Sequence, residues 1–441
     1  MRYLRVILGY ASPYQSLGWT TIGWHFVQIL LAMSLPEIVR QAIDRGLGER
    51  NFGFLIAAAV LTIVLALIRD AVWYRVTYGY QRFASAVAFD LRDRIYEKVQ
   101  RSSYAYHTRA RSGDLFALSS IDTGAIEEFL NGGLNSLFNL TFLLVLIIAI
   151  LITIDPSLTL IAVAVVPLVA VIALLYAGPA RERSRRIQHE YGQLTAMLQE
   201  NLTGMRVVKA FAAEPREVAR FGKHADTLFD AAFRLGALNS WVFPLMSLVT
   251  AAGIAAVFWV GGDRVLDGQL TLGSLVAFTQ YLGMVVTPVR QLGLTLNLVS
   301  GAAAGAERIQ RLFDHRDVIE TVEESRAKPE LPEIVGGVSI EGVSFRYQGA
   351  NQSALSDIDL TVNPGDTVGI VGLTGAGKTT LGLLLGRFYD PANGVVRIDG
   401  RDLREISLPS LRRQLGYVFQ DPFLHSATVA ENIAFGRHDA T

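Results

Sequence analysis

The 441-residue chain contains no cysteine. That excludes disulfide scaffolding, thiol catalysis and cysteine-ligated zinc or iron–sulfur sites. Histidine is scarce: the seven residues show no metal-ligating spacing, and His25 and His107 read as isolated packing or interfacial residues. Charge is sparse too. Only 18% of residues are charged against 51% hydrophobic, and 40 Lys/Arg balance 40 Asp/Glu. So small a charged share is unusual for a soluble chain and points to lipid as part of the solvent.

The apolar residues are not spread evenly. Six candidate spans lie at 18–36, 54–76, 134–154, 157–178, 241–262 and 273–300, each near the ~20 residues a helix needs to cross a bilayer. The third and fourth are the clearest, through Phe142–Ile152 and Leu160–Val166, and the break at Asp155-Pro156-Ser157 makes them a tight helical hairpin. Glu37, Arg40, Arg69 and Asp70 weaken the first two. Met1–Arg5 looks like a signal n-region, but no small-residue cleavage site follows, so the first apolar run reads as a retained span.

Connections after spans one, three and five are short, whereas those after two and four run to roughly fifty or sixty residues, far beyond ordinary helix connections. They keep helical periodicity: Tyr191, Leu194, Leu198, Leu202 and Met205 recur at three- and four-residue steps, so the helices are expected to continue past the lipid as amphipathic rods. Seven Lys/Arg fall between residues 79 and 131 and ten between 181 and 236, against Arg40, Arg45, Arg50 and Arg264 in the short connections. The positive-inside rule then puts the long loops and both termini in the cytoplasm.

Beyond the spans stands Gly372-Leu-Thr-Gly-Ala-Gly-Lys-Thr379, a complete phosphate loop. An expected strand, Thr367–Val371, precedes it, and an expected amphipathic helix, Thr380–Phe388, follows. Loop N–H groups and a helix dipole then face the phosphates of a nucleoside triphosphate, the lysine reaches the outer ones and the threonine hydroxyl can ligand Mg²⁺. The candidate nucleotide contacts are Gly372, Thr374, Gly375, Ala376, Gly377, Lys378, Thr379 and Thr380. Even-numbered crossing puts this loop in the cytoplasm, where ATP is.

The rest of the second half reads as α/β. Strand-like runs occupy Val338–Glu341, Val343–Tyr347, Ile358–Val362, Val395–Ile398 and Gly416–Gln420, with a turn at Asn363–Asp366 and a hairpin signal at Asn393-Gly394. A polar, proline-bearing junction, with Glu320, Glu323, Glu324, Pro329 and Pro332, precedes them. The expected organisation is a six-helix transmembrane domain at 1–315, a linker at 316–336 and an α/β P-loop nucleotide-binding domain, incomplete, at 337–441.

The order Tyr347, phosphate loop, Tyr417-Val-Phe-Gln-Asp421 resembles the first half of an ATP-binding cassette, and the whole chain resembles an ABC exporter half-transporter of the multidrug or lipid type. The resemblance implies that Tyr347 stacks on adenine, an aromatic face suiting a purine ring, and that Gln420 joins Thr379 at Mg²⁺. Thr428–Gly436 also matches the exporter pattern. Gly113-Asp114 with Ser120–Thr123, and Val207–Phe211 with Glu214–Glu217, resemble the two intracellular coupling helices. The family's signature sequence, acidic catalytic strand and switch histidine do not occur between Gln420 and Thr441, which reads as a truncated or fragmentary chain; the catalytic residues are therefore unassigned.

The implied activity is ATP-driven export by a dimer, with ATP and Mg²⁺ as cofactors, and a second half-transporter (identical or not), the bilayer, and a small-molecule, lipid or peptide cargo as partners. Nucleic acid is not an expected partner. A bacterial-type inner membrane is the expected location, with the ATP-binding domain cytoplasmic. Two rivals stay open: a membrane subunit that binds ATP as a regulatory ligand without hydrolysing it, and a nucleotide-gated channel. Gln280, Gln291 and Asn297 in span six, with Arg69 and Asp70 in span two, are candidate cargo contacts, because polar groups within a membrane usually face a cavity. Pro288 is expected to kink span six.

Overall fold

The computed structural model describes residues 2–315, 322–420, 423–437 and 440. It packs as two units, Met1–Leu91 with Asp122–Glu307, and Arg92–Ile121 with Arg308–Thr441. Glu320 and Asp421, singled out above, lie outside the described residues.

Among the described residues, five helical segments are long and apolar enough to cross a membrane: Ser12–Leu47, Phe52–Arg101, Ser112–Ile154, Pro156–Thr203 and Glu214–Leu266. The sixth expected span falls in the helix Leu272–Asp314, which runs unbroken through Pro288. Among the described residues its apolar stretch, Leu272–Val285, is shorter than the others. Pro156–Thr203 has 48 residues and Glu214–Leu266 has 53. At ~1.5 Å per residue each is more than twice the ~30 Å of a hydrocarbon core. The rods inferred from periodicity are therefore continuations of the spans themselves.

Within the first unit, Leu143, Ile147 and Leu151 at four-residue spacing meet Leu158, Ala162, Val165 and Val169 of the next helix in one core. Their other faces carry exposed Val145, Leu160, Leu168 and Leu175. A helix apolar all round suits lipid on one side and neighbours on the other. Without a hydrophobic drive between helices in lipid, close contact depends on small residues. Gly253 is such a contact: a Cβ there would lie 2.2 Å from Val165 Cγ2.

The hairpin turn between the third and fourth spans is closed by Asp155. Its carboxylate accepts from Ser157 N at 2.9 Å and Leu158 N at 3.0 Å, capping the following helix, and pairs with Arg264. Burial alone would raise this carboxyl. The Leu158 N–H, the Ser157 hydroxyl, Arg264 and the Ser157 N–H outweigh it and hold the pKa at about 2, against 3.8 unperturbed. The stabilisation is thus complete above the unperturbed value and is lost as pH falls through about 2. Asp155→Ala is expected to cost ~1–2 kcal/mol by loss of the cap, seen as a lower unfolding midpoint at neutral pH; an unchanged midpoint would refute the capping role.

The second unit carries a four-stranded antiparallel sheet of order β2-β1-β3-β4, with β1 Val338–Phe345, β2 Leu355–Val362, β3 Asn393–Ile398 and β4 Arg401–Asp402. Two expected strands join at an irregularity, where Gly342 takes φ +57°, to make β1. Asn393-Gly394 is not a hairpin turn: Asn393 pairs with Ser344, and Gly394 lets the backbone approach Glu341 O, to which a Cβ would lie 2.4 Å away. The turn is Asp399-Gly400, both at positive φ, joining β3 to β4. The Asp399 carboxylate also accepts from the N–H groups of Val335, Gly336 and Gly337, which ties the junction to the sheet.

The runs Thr367–Val371 and Gly416–Gln420, expected as strands, pair with no strand among the described residues. Val371 is 93% exposed. Apolar runs of this kind become strands only when neighbours satisfy their N–H and C=O groups, and the antiparallel sheet supplies none.

Candidate nucleotide site

The phosphate loop follows the Asn363–Asp366 turn, which closes through Asp366 N to Asn363 O at 3.1 Å with Gly365 at φ +86°. Within the loop Gly375 and Gly377 both take φ +87°. Two left-handed residues so close together curl successive N–H groups inward, the geometry of an anion nest. The helix begins at once, as Lys378–Leu385, and buries Thr380, Leu381 and Leu384. It ends two turns on at Gly386, shorter than Thr380–Phe388 suggested.

Lys378 Nζ donates to Gly372 O and Leu373 O, both at 2.8 Å, which holds the ammonium over the loop. Thr374 and Thr379 are exposed, so the Thr379 hydroxyl is open to an incoming metal ion. These residues fit MgATP: a cation stands over the loop and an oxygen ligand sits at the helix start, while the Ala376 N–H donates to Leu373 O at 3.1 Å and braces the loop. Gly377 is the position that tolerates no side chain. A Cβ there would lie 2.6 Å from Ala354 O, in a left-handed conformation. Gly377→Ala is expected to weaken ATP binding about 5- to 150-fold, from strain of ~1–3 kcal/mol; calorimetry showing native affinity would refute it.

Tyr347 stands at the end of β1, half-buried, edge-on to Phe345 at 4.9 Å and to Tyr389 at 5.3 Å. Its hydroxyl lies 3.0 Å from Thr380 Oγ1. Thr380 is therefore buried and occupied with Tyr347 rather than facing the loop's mouth. That bond fastens the aromatic ring to the first turn of the phosphate-loop helix. Tyr347, Gln348, Gly349 and Ala350 line one side of a cleft of about 730 Å³ whose other side carries Ala105, Thr108 and Arg109, and no residue of the phosphate loop lines it. Gln420 is exposed. Its stretch is anchored by Tyr417, whose hydroxyl donates to Gly382 O at 3.2 Å on the same helix and whose ring meets Phe388 at 5.6 Å. Burial raises the Tyr417 phenol, so it stays a donor.

A contact missed from sequence lies on the same unit. The short helix Tyr104–Arg109 begins at Ser103, whose hydroxyl accepts from Tyr106 N. Tyr104 packs against Phe388 at 5.2 Å and Tyr389 at 5.8 Å, and Thr108 Oγ1 lies 3.0 Å from the Tyr389 hydroxyl. The segment docked on the α/β domain thus precedes Gly113-Asp114, which sits in a separate short helix, Ser112–Ala117. The available signal was Ser103, an N-cap, followed by Tyr104 and Thr108 on one helical face. In the first unit the second expected segment forms a short helix, Met205–Ala210, with Val207 and Phe211 exposed and Lys209 bonded to Glu214 at 2.8 Å.

Other polar expectations resolve into pairs. Arg69 bonds its neighbour Asp70 at 2.9 Å, and Asn297 accepts from Arg181 at 3.2 Å. Gln291 is exposed and Gln280 half-buried. His25 is buried with Nδ1 3.0 Å from the Tyr80 hydroxyl, and His107 Nε2 contacts Val99 O at 2.9 Å. Among the described residues no three metal-ligating side chains cluster.

A phosphate loop with a fastened aromatic, in one chain with a bundle of spanning helices, defines a membrane protein worked by nucleotide. Two family patterns match: the ABC transporter transmembrane region over residues 21–289 and the ABC transporter domain over 355–441. A putative multidrug export ATP-binding/permease protein of Bacillus subtilis is 30% identical over 447 residues, covering all of this chain and 77% of that protein. An ATP-dependent lipid A-core flippase of Syntrophus aciditrophicus is 32% identical, covering 92% of this chain and 67% of that protein. A fatty acid ABC transporter ATP-binding/permease protein of Mycobacterium tuberculosis is 36% identical, over 80% of this chain and 55% of that protein. The chain belongs to the ABC transporters, as an exporter half-transporter of the multidrug and lipid flippase type. It is an integral multi-pass membrane protein of a class whose ATP-binding domain is cytoplasmic and whose ATPase activity is coupled to transport.

Proposed function

We propose that the chain pairs with a second half-transporter and exports an amphiphilic or lipid-like molecule, driven by MgATP. The observation that carries this reading is the linked site: Lys378 over the loop carbonyls and Tyr347 fastened through Thr380 to the same helix turn. In it, the amides of Gly372 and Thr374–Gly377 with Lys378 hold phosphates, Tyr347 stacks adenine, and Thr379 and Gln420 hold Mg²⁺. Positioning and charge stabilisation are most of what phosphoryl transfer asks of a protein. Relatives named for lipid A core, fatty acid and multidrug export support a cargo with a large apolar part.

The test is reconstitution into proteoliposomes, following ATP hydrolysis together with movement of a fluorescent phospholipid and of a hydrophobic dye. Hydrolysis stimulated by one cargo class, with ATP-dependent movement of that class, is expected. ATP binding with no turnover would support the regulatory-subunit reading instead, and single-channel currents would support a gated channel.

A further inference from the structure

In the first unit, the helices Pro156–Thr203 and Glu214–Leu266 enclose a cleft of about 330 Å³, lined by Pro179, Glu182, Arg183, Arg186, Ala231 and Arg234. Ala231, one of the lining residues, is buried. Three guanidinium groups face one carboxylate there. Arg186 has a distant partner in Glu190, at 3.9 Å. Among the described residues, Arg183 and Arg234 have no carboxylate within 4.0 Å. The cleft thus carries an excess of positive charge, three guanidinium groups against the Glu182 carboxylate.

Its depth is fixed by its neighbours. Pro179 comes directly after the fourth span. Arg234 lies seven residues before Trp241 on one helix, or roughly 10 Å along its axis. At the cleft end of the span, Tyr176 OH donates to Asn239 Oδ1 at 2.7 Å and bridges the two helices. Trp241 is exposed, as are Leu174 and Leu175 on the membrane side. Tryptophan and tyrosine at the edge of an apolar span mark the membrane–water interface. The arginines therefore stand at headgroup depth with apolar surface directly beside them.

We propose that this cleft binds the phosphate headgroup of an anionic phospholipid in the cytoplasmic leaflet. Guanidinium forks match phosphate oxygens bidentately, and basic pockets between spanning helices on this side suit lipid headgroups. Glu182 sharpens the choice: it can accept from a headgroup hydroxyl and repels a second negative charge. That favours a singly charged diester with a glycerol headgroup over free phosphate. The site does not depend on which molecule is exported.

Native mass spectrometry of the detergent-purified protein with dioleoyl phosphatidylglycerol, dioleoyl phosphatidylcholine and inorganic phosphate tests it. Retention of phosphatidylglycerol over phosphatidylcholine is expected, falling about tenfold in the Arg183→Gln/Arg234→Gln variant and weakening as salt rises. If that variant does not fold, Arg234→Gln alone, at an exposed side chain, is expected to read about a threefold loss. Equal retention of the two lipids, undiminished retention in the folded variant, or displacement of the lipid by equimolar phosphate would each overturn the proposal.

Discussion

Lys378→Ala is expected to weaken MgATP binding by about 10- to 100-fold and to reduce ATP hydrolysis at least in proportion. A hydrogen bond to a charged group contributes ~1.5–3 kcal/mol, and each ~1.4 kcal/mol is a factor of ten. The ammonium holds Gly372 O and Leu373 O at 2.8 Å, so its loss also frees the loop it spans. Lys378→Arg keeps the charge but not the compact three-donor head, and it is expected to fall between the two. Titration with a fluorescent ATP analogue separates these outcomes; native affinity in the alanine variant would reject the phosphate-loop assignment.

Tyr104→Ala is expected to uncouple transport from hydrolysis. The ring makes two aromatic contacts, with Phe388 and Tyr389, each contributing ~0.5–1.5 kcal/mol beyond its area. Losing both weakens the docking of the helix Tyr104–Arg109 by ~1–3 kcal/mol, or about 5- to 150-fold in its docking equilibrium. Cargo-stimulated hydrolysis and translocation should fall accordingly, while ATP affinity stays within about twofold, since among the described residues the ring contacts of Tyr104 are with Phe388 and Tyr389 and not with Tyr347. Loss of ATP binding in step with transport would show that Tyr104 supports the nucleotide fold rather than coupling.

The phosphate loop was readable because all its chemistry is contiguous, from Gly372 to Thr379. The spans were readable because lipid demands long apolar runs, and the long rods because their periodicity continues past the charge boundary. The turn at Asp399-Gly400 was misplaced to Asn393-Gly394 because both dipeptides allow positive φ; only strand pairing shows that Asn393 faces Ser344. The docking of Thr108 on Tyr389 joins residues 281 positions apart. No local pattern reports such a pairing, although Ser103 marked the helix start.

By itself, then, the sequence determined the solvent, the orientation and the ligand class, since hydropathy, loop charge and the Gly372–Thr379 spacing act through neighbouring residues. Tertiary structure alone decided that Tyr347 is fastened through Thr380 to the phosphate-loop helix and that Tyr104 packs on Phe388 and Tyr389. It likewise assembled Arg183, Arg186 and Arg234 from two helices into one cleft. These are meetings of side chains far apart in the chain. Packing creates them, and periodicity carries no record of which residue will be the partner.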